Sequence, residues 1–218
     1  MPKSMSMNIF YEGVVIATFL YSMYLLVFKR FTHQQSYLFI YLLAVIVIDI
    51  IPVNYPDSIL INRNTLFLGY ILFSLIYFGC IYHIKIKNRT FRFLNYAIII
   101  SILILNMYSF EFDDNEKINL IAIISLPIVF IYESIFWYLF KLKNIDEDKI
   151  TDDFFFWISS GILIWSVFFV FRAIPMYFLQ DNDPQLLSLV ITAFSVVNTI
   201  MYILFLIGLI FIKNERTS

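Results

Sequence analysis

The chain has 218 residues, of which 61% are hydrophobic and only 14% charged; its mean hydropathy is +0.83 and its net charge −1. A soluble domain carries about 25% charged residues, so this composition excludes an ordinary water-soluble globule, and the near-zero charge excludes bulk attraction to nucleic acid. The single cysteine, Cys80, lies in an apolar run, which excludes an intrachain disulfide, and no Cys/His spacing fits a zinc site.

Crossing the hydrocarbon of a bilayer takes about 20 apolar residues. Met1 to Asn8 has neither the basic region nor the cleavage site of a signal peptide, so the first apolar run, 9–28, predicts a retained helix. The next spans are 36–53, 65–84, 94–110, 118–140, 154–179 and 186–212. The fourth is the shortest, and the last two are long enough to tilt. The loops 29–35, 54–64, 85–93, 111–117, 141–153 and 180–185 are too short to hold a folded domain, and there is no internal repeat. The whole chain therefore reads as one all-α membrane domain, a seven-transmembrane-helix bundle. Thr151-Asp152-Asp153 suits the N-terminus of the sixth span, since short polar side chains satisfy free N–H groups there. Asn62 and Asn64 suit the third. Pro52, Pro127 and Pro175 fall within or at the ends of spans two, five and six, where membrane helices tolerate them.

Orientation follows from the basic residues. Loops 29–35, 85–93 and 141–153 with the tail 213–218 hold eleven Lys and Arg; the N-terminus and the other three loops hold three, and Arg172 lies inside a span. This predicts the N-terminus outside and the C-terminus in the cytoplasm, in a bacterial cytoplasmic (inner) membrane. Trp137, Tyr138 and Trp157 then fall near the inner interface.

Ionisable groups inside a bilayer are costly and each needs a reason. Asp49 and Arg172 lie about 6 and 10 Å from the outer ends of their spans at 1.5 Å per residue, and Glu12 lies at similar depth. These three are candidates for an outer polar cluster that binds a small polar or anionic ligand or senses protons; the bland reading is an ion pair locking helices, with Arg172 snorkelling outward. Glu133 and His83 fall together in the inner half as a candidate proton switch, against a Glu133 satisfied by Tyr or Ser and a His83 at the interface. Ser188, Thr192, Ser195 and Thr199 share one face of the seventh span with Asn198 beside them, a stripe for close packing or for a cavity lining. Tyr70, Ser74 and Tyr77 make a similar face on the third.

Other chemistry is weakened by what is missing. No lysine before Lys213 in the last span suits a retinal Schiff base, and C-x-x-C-H is absent. The acidic runs Asp113, Asp114, Glu116 and Asp146, Glu147, Asp148 lack calcium-loop spacing. Neither a cofactor nor a metal site is expected. Asn88-Arg89-Thr90 matches a glycosylation acceptor but falls in a loop read as cytoplasmic. Five glycines in 218 residues argue against an alternating-access transporter, which relies on small residues and broken helices.

Two runs carry a resemblance: Phe156-Trp157-Ile158-Ser159-Ser160-Gly161-Ile162-Leu163-Ile164-Trp165, and Asn198-Thr199-Ile200-Met201-Tyr202-Ile203-Leu204-Phe205. They resemble small seven-helix membrane proteins of Bacteroidota, similar to the helix sets that precede cytoplasmic histidine kinase domains. No kinase or other output domain is present in these residues. The resemblance therefore implies a non-enzymatic sensor or regulatory module that works through a separate cytoplasmic or membrane partner, or as a homo-oligomer. A small-solute transporter or channel, an intramembrane enzyme using Asp49 or Glu133, and a structural subunit of a larger complex are the alternatives.

Overall fold

The computed structural model describes residues 2–29, 33–54, 63–108, 120–144, 149–179 and 184–212. Its α-helices are α1 (Pro2–Tyr24), α2 (Leu38–Val45), α3 (Ile51–Asn54), α4 (Arg63–Lys85), α5 (Arg89–Tyr108), α6 (Leu120–Lys143), α7 (Phe154–Leu179) and α8 (Pro184–Ile210). No strand occurs among the described residues. Six stretches are long and apolar enough to cross a membrane: Ile9–Lys29, Thr65–Lys85, Arg89–Asn106, Ile123–Lys143, Phe154–Arg172 and Gln185–Ile210. The seventh, Leu38–Ile50, is apolar but shorter. The chain is thus an all-helical, multi-pass membrane protein by length and composition.

The short span is the second, not the fourth as the sequence suggests, and both ends of that difference have local causes. α5 starts a turn earlier than expected because Asn88 caps it, its Oδ1 accepting the Phe91 N–H at 3.1 Å. The charge of Arg92 is no obstacle: its Nε donates to the free carbonyls of His83 and Ile86 at the end of α4, at 3.1 and 3.3 Å. In the second rod, α2 and α3 are joined by a π turn, Ile46–Ile50. Pro52 has no N–H to give the Ile48 carbonyl and its ring crowds the preceding turn. The Ile51 N–H reaches back five residues to the Ile46 carbonyl. A second π turn, Leu25–Lys29, ends α1.

Helix contacts define a ring in the order α1, α2, α4, α6, α7, α8 and back to α1, with α5 outside it against α4 and α6. Rings of large side chains fill the middle. Tyr41 is 1% exposed and packs on Tyr70, Phe73, Tyr77, Phe78 and Phe205. Phe78 continues to Phe130, Trp165 and Phe194. Phe205 continues to Tyr202 and Tyr11. One aromatic network therefore touches every helix of the ring, each contact adding about 0.5–1.5 kcal/mol beyond area burial.

Glycine brings α7 and α8 together. A Cβ on Gly161 of α7 would lie 3.1 Å from a Phe205 ring carbon and 3.2 Å from the Met201 carbonyl oxygen of α8. A Cβ on Gly208 of α8 would lie 3.0 Å from Trp157 Cβ and 3.2 Å from the Phe154 carbonyl oxygen of α7. Small residues replace a hydrophobic driving force between membrane helices.

The connections are pinned by side chains. Asp153 caps α7 as expected, its Oδ1 accepting the Phe155 N–H at 2.9 Å, and Oδ2 pairs with Lys141 at 3.0 Å. Before α2, Ser36 and Tyr37 both hold the left-handed conformation, with φ of 52° and 58°, a costly state for residues with side chains. The turn is held by Tyr77, which donates to the Ser36 carbonyl at 3.0 Å, and by the buried Gln35, whose side chain bonds the Ser22 hydroxyl and carbonyl. The capping role of Asn62 and Asn64 and the acidic runs at 113–116 and 146–148 lie outside the described side chains.

Gly208→Val is expected to lower stability by about 1–3 kcal/mol, the cost of overpacking. Gly69→Ala meets nothing within 4 Å and should be neutral or stabilising by up to about 1 kcal/mol. Thermal unfolding in detergent checks the pair; equal losses at both sites would contradict the close α7–α8 approach.

Candidate functional site

Polar chemistry gathers in two places at different depths. The first lies between α1, the second rod, α4 and α8. The π turn of the second rod turns Asp49 toward α1, and Tyr11 donates its hydroxyl to Asp49 Oδ2 at 2.7 Å. The Tyr41 and Tyr70 hydroxyls lie 2.8 Å apart, and the Tyr202 hydroxyl of α8 faces both. One carboxylate and four phenolic hydroxyls, drawn from α1, α2, α4 and α8, thus share one aromatic-walled region. Phenols both donate and accept, and ring faces attract cations. The set suits a small cationic or hydroxylated ligand. Glu12 stands half-buried beside Tyr11. Arg172 sits elsewhere: it is on α7, which is opposite the second rod in the ring, and its guanidinium lies 4.4 Å from the centre of the Phe194 ring. Of the three residues grouped by depth in the sequence, Asp49 thus bonds Tyr11 of α1 and Arg172 packs on Phe194 of α8.

The second place is the junction of α4, α5 and α6. Glu133 is 0% exposed, and neither of its carboxyl oxygens receives a hydrogen bond. Its Oε1 is packed against Gly79, where an added Cβ would lie 3.5 Å away. Asn95, also 0% exposed, lies alongside the carboxyl, with its Nδ2 donating to the Gly79 carbonyl at 3.0 Å and its Oδ1 unpartnered. A carboxyl group so placed costs about 2.5–3.5 kcal/mol on membrane-insertion scales. His83 and Glu133, expected as partners, make no hydrogen bond or ion pair; the His83 ring stacks instead on Tyr96, with centroids 4.1 Å apart. Nor does Tyr or Ser satisfy Glu133: the nearby Tyr82 hydroxyl is shared between Ser134 at 3.4 Å and Ser159 at 2.8 Å.

The hydroxyl stripe of α8 is exposed at Ser188 and Thr192 and buried at Thr199. Thr192 and Thr199 donate to the Ser188 and Ser195 carbonyls one turn back, both at 2.9 Å. Asn198 Oδ1 accepts the Trp165 indole N–H at 2.6 Å and clamps α8 to α7.

Sequence reasoning missed Tyr11, Tyr41 and Tyr202 because one tyrosine among 15 carries no signal until helices are placed side by side. It missed Asn95 for a sharper reason. With α5 read as starting at 94, Asn95 counted as an edge residue; starting at Arg89, it is buried within the helix. The capping pattern at Asn88 was the available signal.

In a double-mutant cycle, Tyr11→Phe and Asp49→Ala are expected to couple by about 0.5–1.5 kcal/mol. Additive losses of stability would show that the two side chains act independently. No protein-family model, no curated protein and no solved structure matches this chain.

Proposed function

We propose that this chain is a sensor or regulatory module of a bacterial cytoplasmic membrane, with seven helical rods crossing the bilayer, the N-terminus outside and the C-terminus inside. It resembles the small seven-helix proteins of Bacteroidota in this respect, and it passes its signal to a separate protein at the cytoplasmic face. The charge asymmetry of eleven basic residues against three supports the orientation.

One observation carries the functional reading: Asp49, an acid inside an apolar rod, sits in a π turn and takes its hydrogen bond from another helix. π turns are rare in helices and frequent at functional positions. A ligand that competes for the Asp49 carboxylate or for the tyrosine hydroxyls frees Tyr11 and changes how the second rod packs on α1 and α4. The aromatic fill of the ring favours this reading over a channel or transporter, since the residues on the ring axis are Tyr41, Phe78 and Phe205, each at most 1% exposed.

The test is transcript profiling of the native host carrying Tyr11→Phe or Asp49→Asn, beside a strain lacking the protein. The variants are expected to shift the same transcripts as the deletion while membrane levels of the protein stay at wild type. Wild-type transcript patterns in both variants, against a changed deletion strain, would remove the signalling role of this cluster. A reporter fused to the C-terminus should read cytoplasmic; an external reading overturns the orientation.

A further inference from the structure

We propose that Glu133, Asn95 and the Gly79 carbonyl form a buried site for a small cation, a proton or a sodium ion, at the junction of α4, α5 and α6. The Tyr11–Asp49 cluster plays no part in it.

The inference rests on an inventory of donors and acceptors. Three buried oxygens here make no hydrogen bond: both carboxyl oxygens of Glu133 and Oδ1 of Asn95, with the Asn95 amide alongside the carboxyl. The Gly79 carbonyl is the fourth oxygen, and it holds the Asn95 Nδ2 hydrogen at 3.0 Å. That bond orients the amide, so that its oxygen cannot be exchanged for its nitrogen without losing a buried contact. A fully enclosed group of four oxygens that bears one formal negative charge and has the Asn95 amide as its one neighbouring donor matches a species that brings positive charge and no lone pairs of its own. A proton on Glu133 cancels the buried charge. A sodium ion bridges the same oxygens.

Among the described residues no cation is paired with Glu133. Tyr82 on α4 and Tyr132 on α6 flank it, and His83, one turn beyond Gly79 on α4, stacks on Tyr96 of α5. α5 contributes Asn95 and Ile99, and α7 meets the region through Ser159, which bonds Tyr82. Arg92, the basic residue nearest in sequence to Asn95, is turned away to the His83 and Ile86 carbonyls.

The site has a mechanical consequence. α5 stands outside the ring, and Asn95 ties it to α4. A cation joining Asn95 to Glu133 adds the tie to α6. Gly79 keeps this junction close: a Cβ there would overlap the end of the Ile99 side chain of α5 and touch Glu133 Oε1 at 3.5 Å.

Infrared difference spectroscopy of the purified protein in detergent tests this, since protonated and ionised carboxyl groups absorb at different frequencies. Spectra are recorded for wild type and Glu133→Gln across a pH series in choline chloride, and on replacing choline by sodium at fixed pH. A pH-dependent carboxyl band present in wild type and missing from Glu133→Gln identifies the proton. A sodium-specific carboxylate change missing from the variant identifies sodium. Identical difference spectra for the two proteins in both series overturn the site. If Glu133→Gln does not fold, Asn95→Leu, which keeps the carboxyl group, serves instead: the apparent affinity for proton or sodium should weaken by about tenfold, and an unchanged midpoint overturns the bridging role of Asn95.

Discussion

The bundle depends on an interior filled by aromatic rings. With five glycines in 218 residues, few helix pairs can meet backbone to backbone, and the space this leaves must be filled. The chain fills it with rings from all sides. Tyr41 lies at the centre with Phe78 and Phe205 against it, and the contacts run outward to Phe130, Trp165, Phe194, Tyr202 and Tyr11. Because lipid tails are as apolar as the core, it is packing rather than escape from water that holds such rods together. Rigid rings at fixed angles supply that packing. Between α7 and α8, Gly161 and Gly208 permit close contact instead, as Gly79 of α4 does against α5.

An aromatic interior also decides where polar groups go. Phenolic hydroxyls ride on rings that the core needs anyway, and they collect where several rings point the same way. Tyr41, Tyr70 and Tyr202 do so beside the Tyr11–Asp49 bond. Several polar side chains are then paired across helices, as in Trp165 with Asn198 and Tyr82 with Ser159. Against that background a fully enclosed Glu133 with two unpartnered oxygens stands apart. The bundle thus presents one polar region bonded internally between rods and one whose carboxyl oxygens make no hydrogen bond, both touching α4.

Helix number and rough limits were legible because apolar runs of membrane length and polar loops alternate cleanly. The α7 start was legible in detail, since Asp153 does what a short acid before an apolar run is expected to do. The α5 start was not: Arg89 and Arg92 look like loop residues until the α4 carbonyls that consume the Arg92 charge are in place. Depth along a span could be counted, and it ranked Asp49, Glu12 and Arg172 together. Which helices are neighbours could not be counted, and it is neighbourhood that joins Asp49 to Tyr11 and Arg172 to Phe194. Periodicity constrains which face of a helix is buried, whereas the identity of the partner depends on side-chain shape across the interface.

The central claim is that α1 closes the ring against α8 and leaves α5 outside. Thr18 of α1 lies with its hydroxyl 3.4 Å from the Tyr202 carbonyl of α8. In a Cys80→Ser background, thiols placed by Thr18→Cys and Tyr202→Cys should be joined efficiently by a short bifunctional reagent in native membranes, while Thr18→Cys with Ile99→Cys on α5 should not. Joining of Thr18→Cys to Ile99→Cys with none to Tyr202→Cys would contradict the ring.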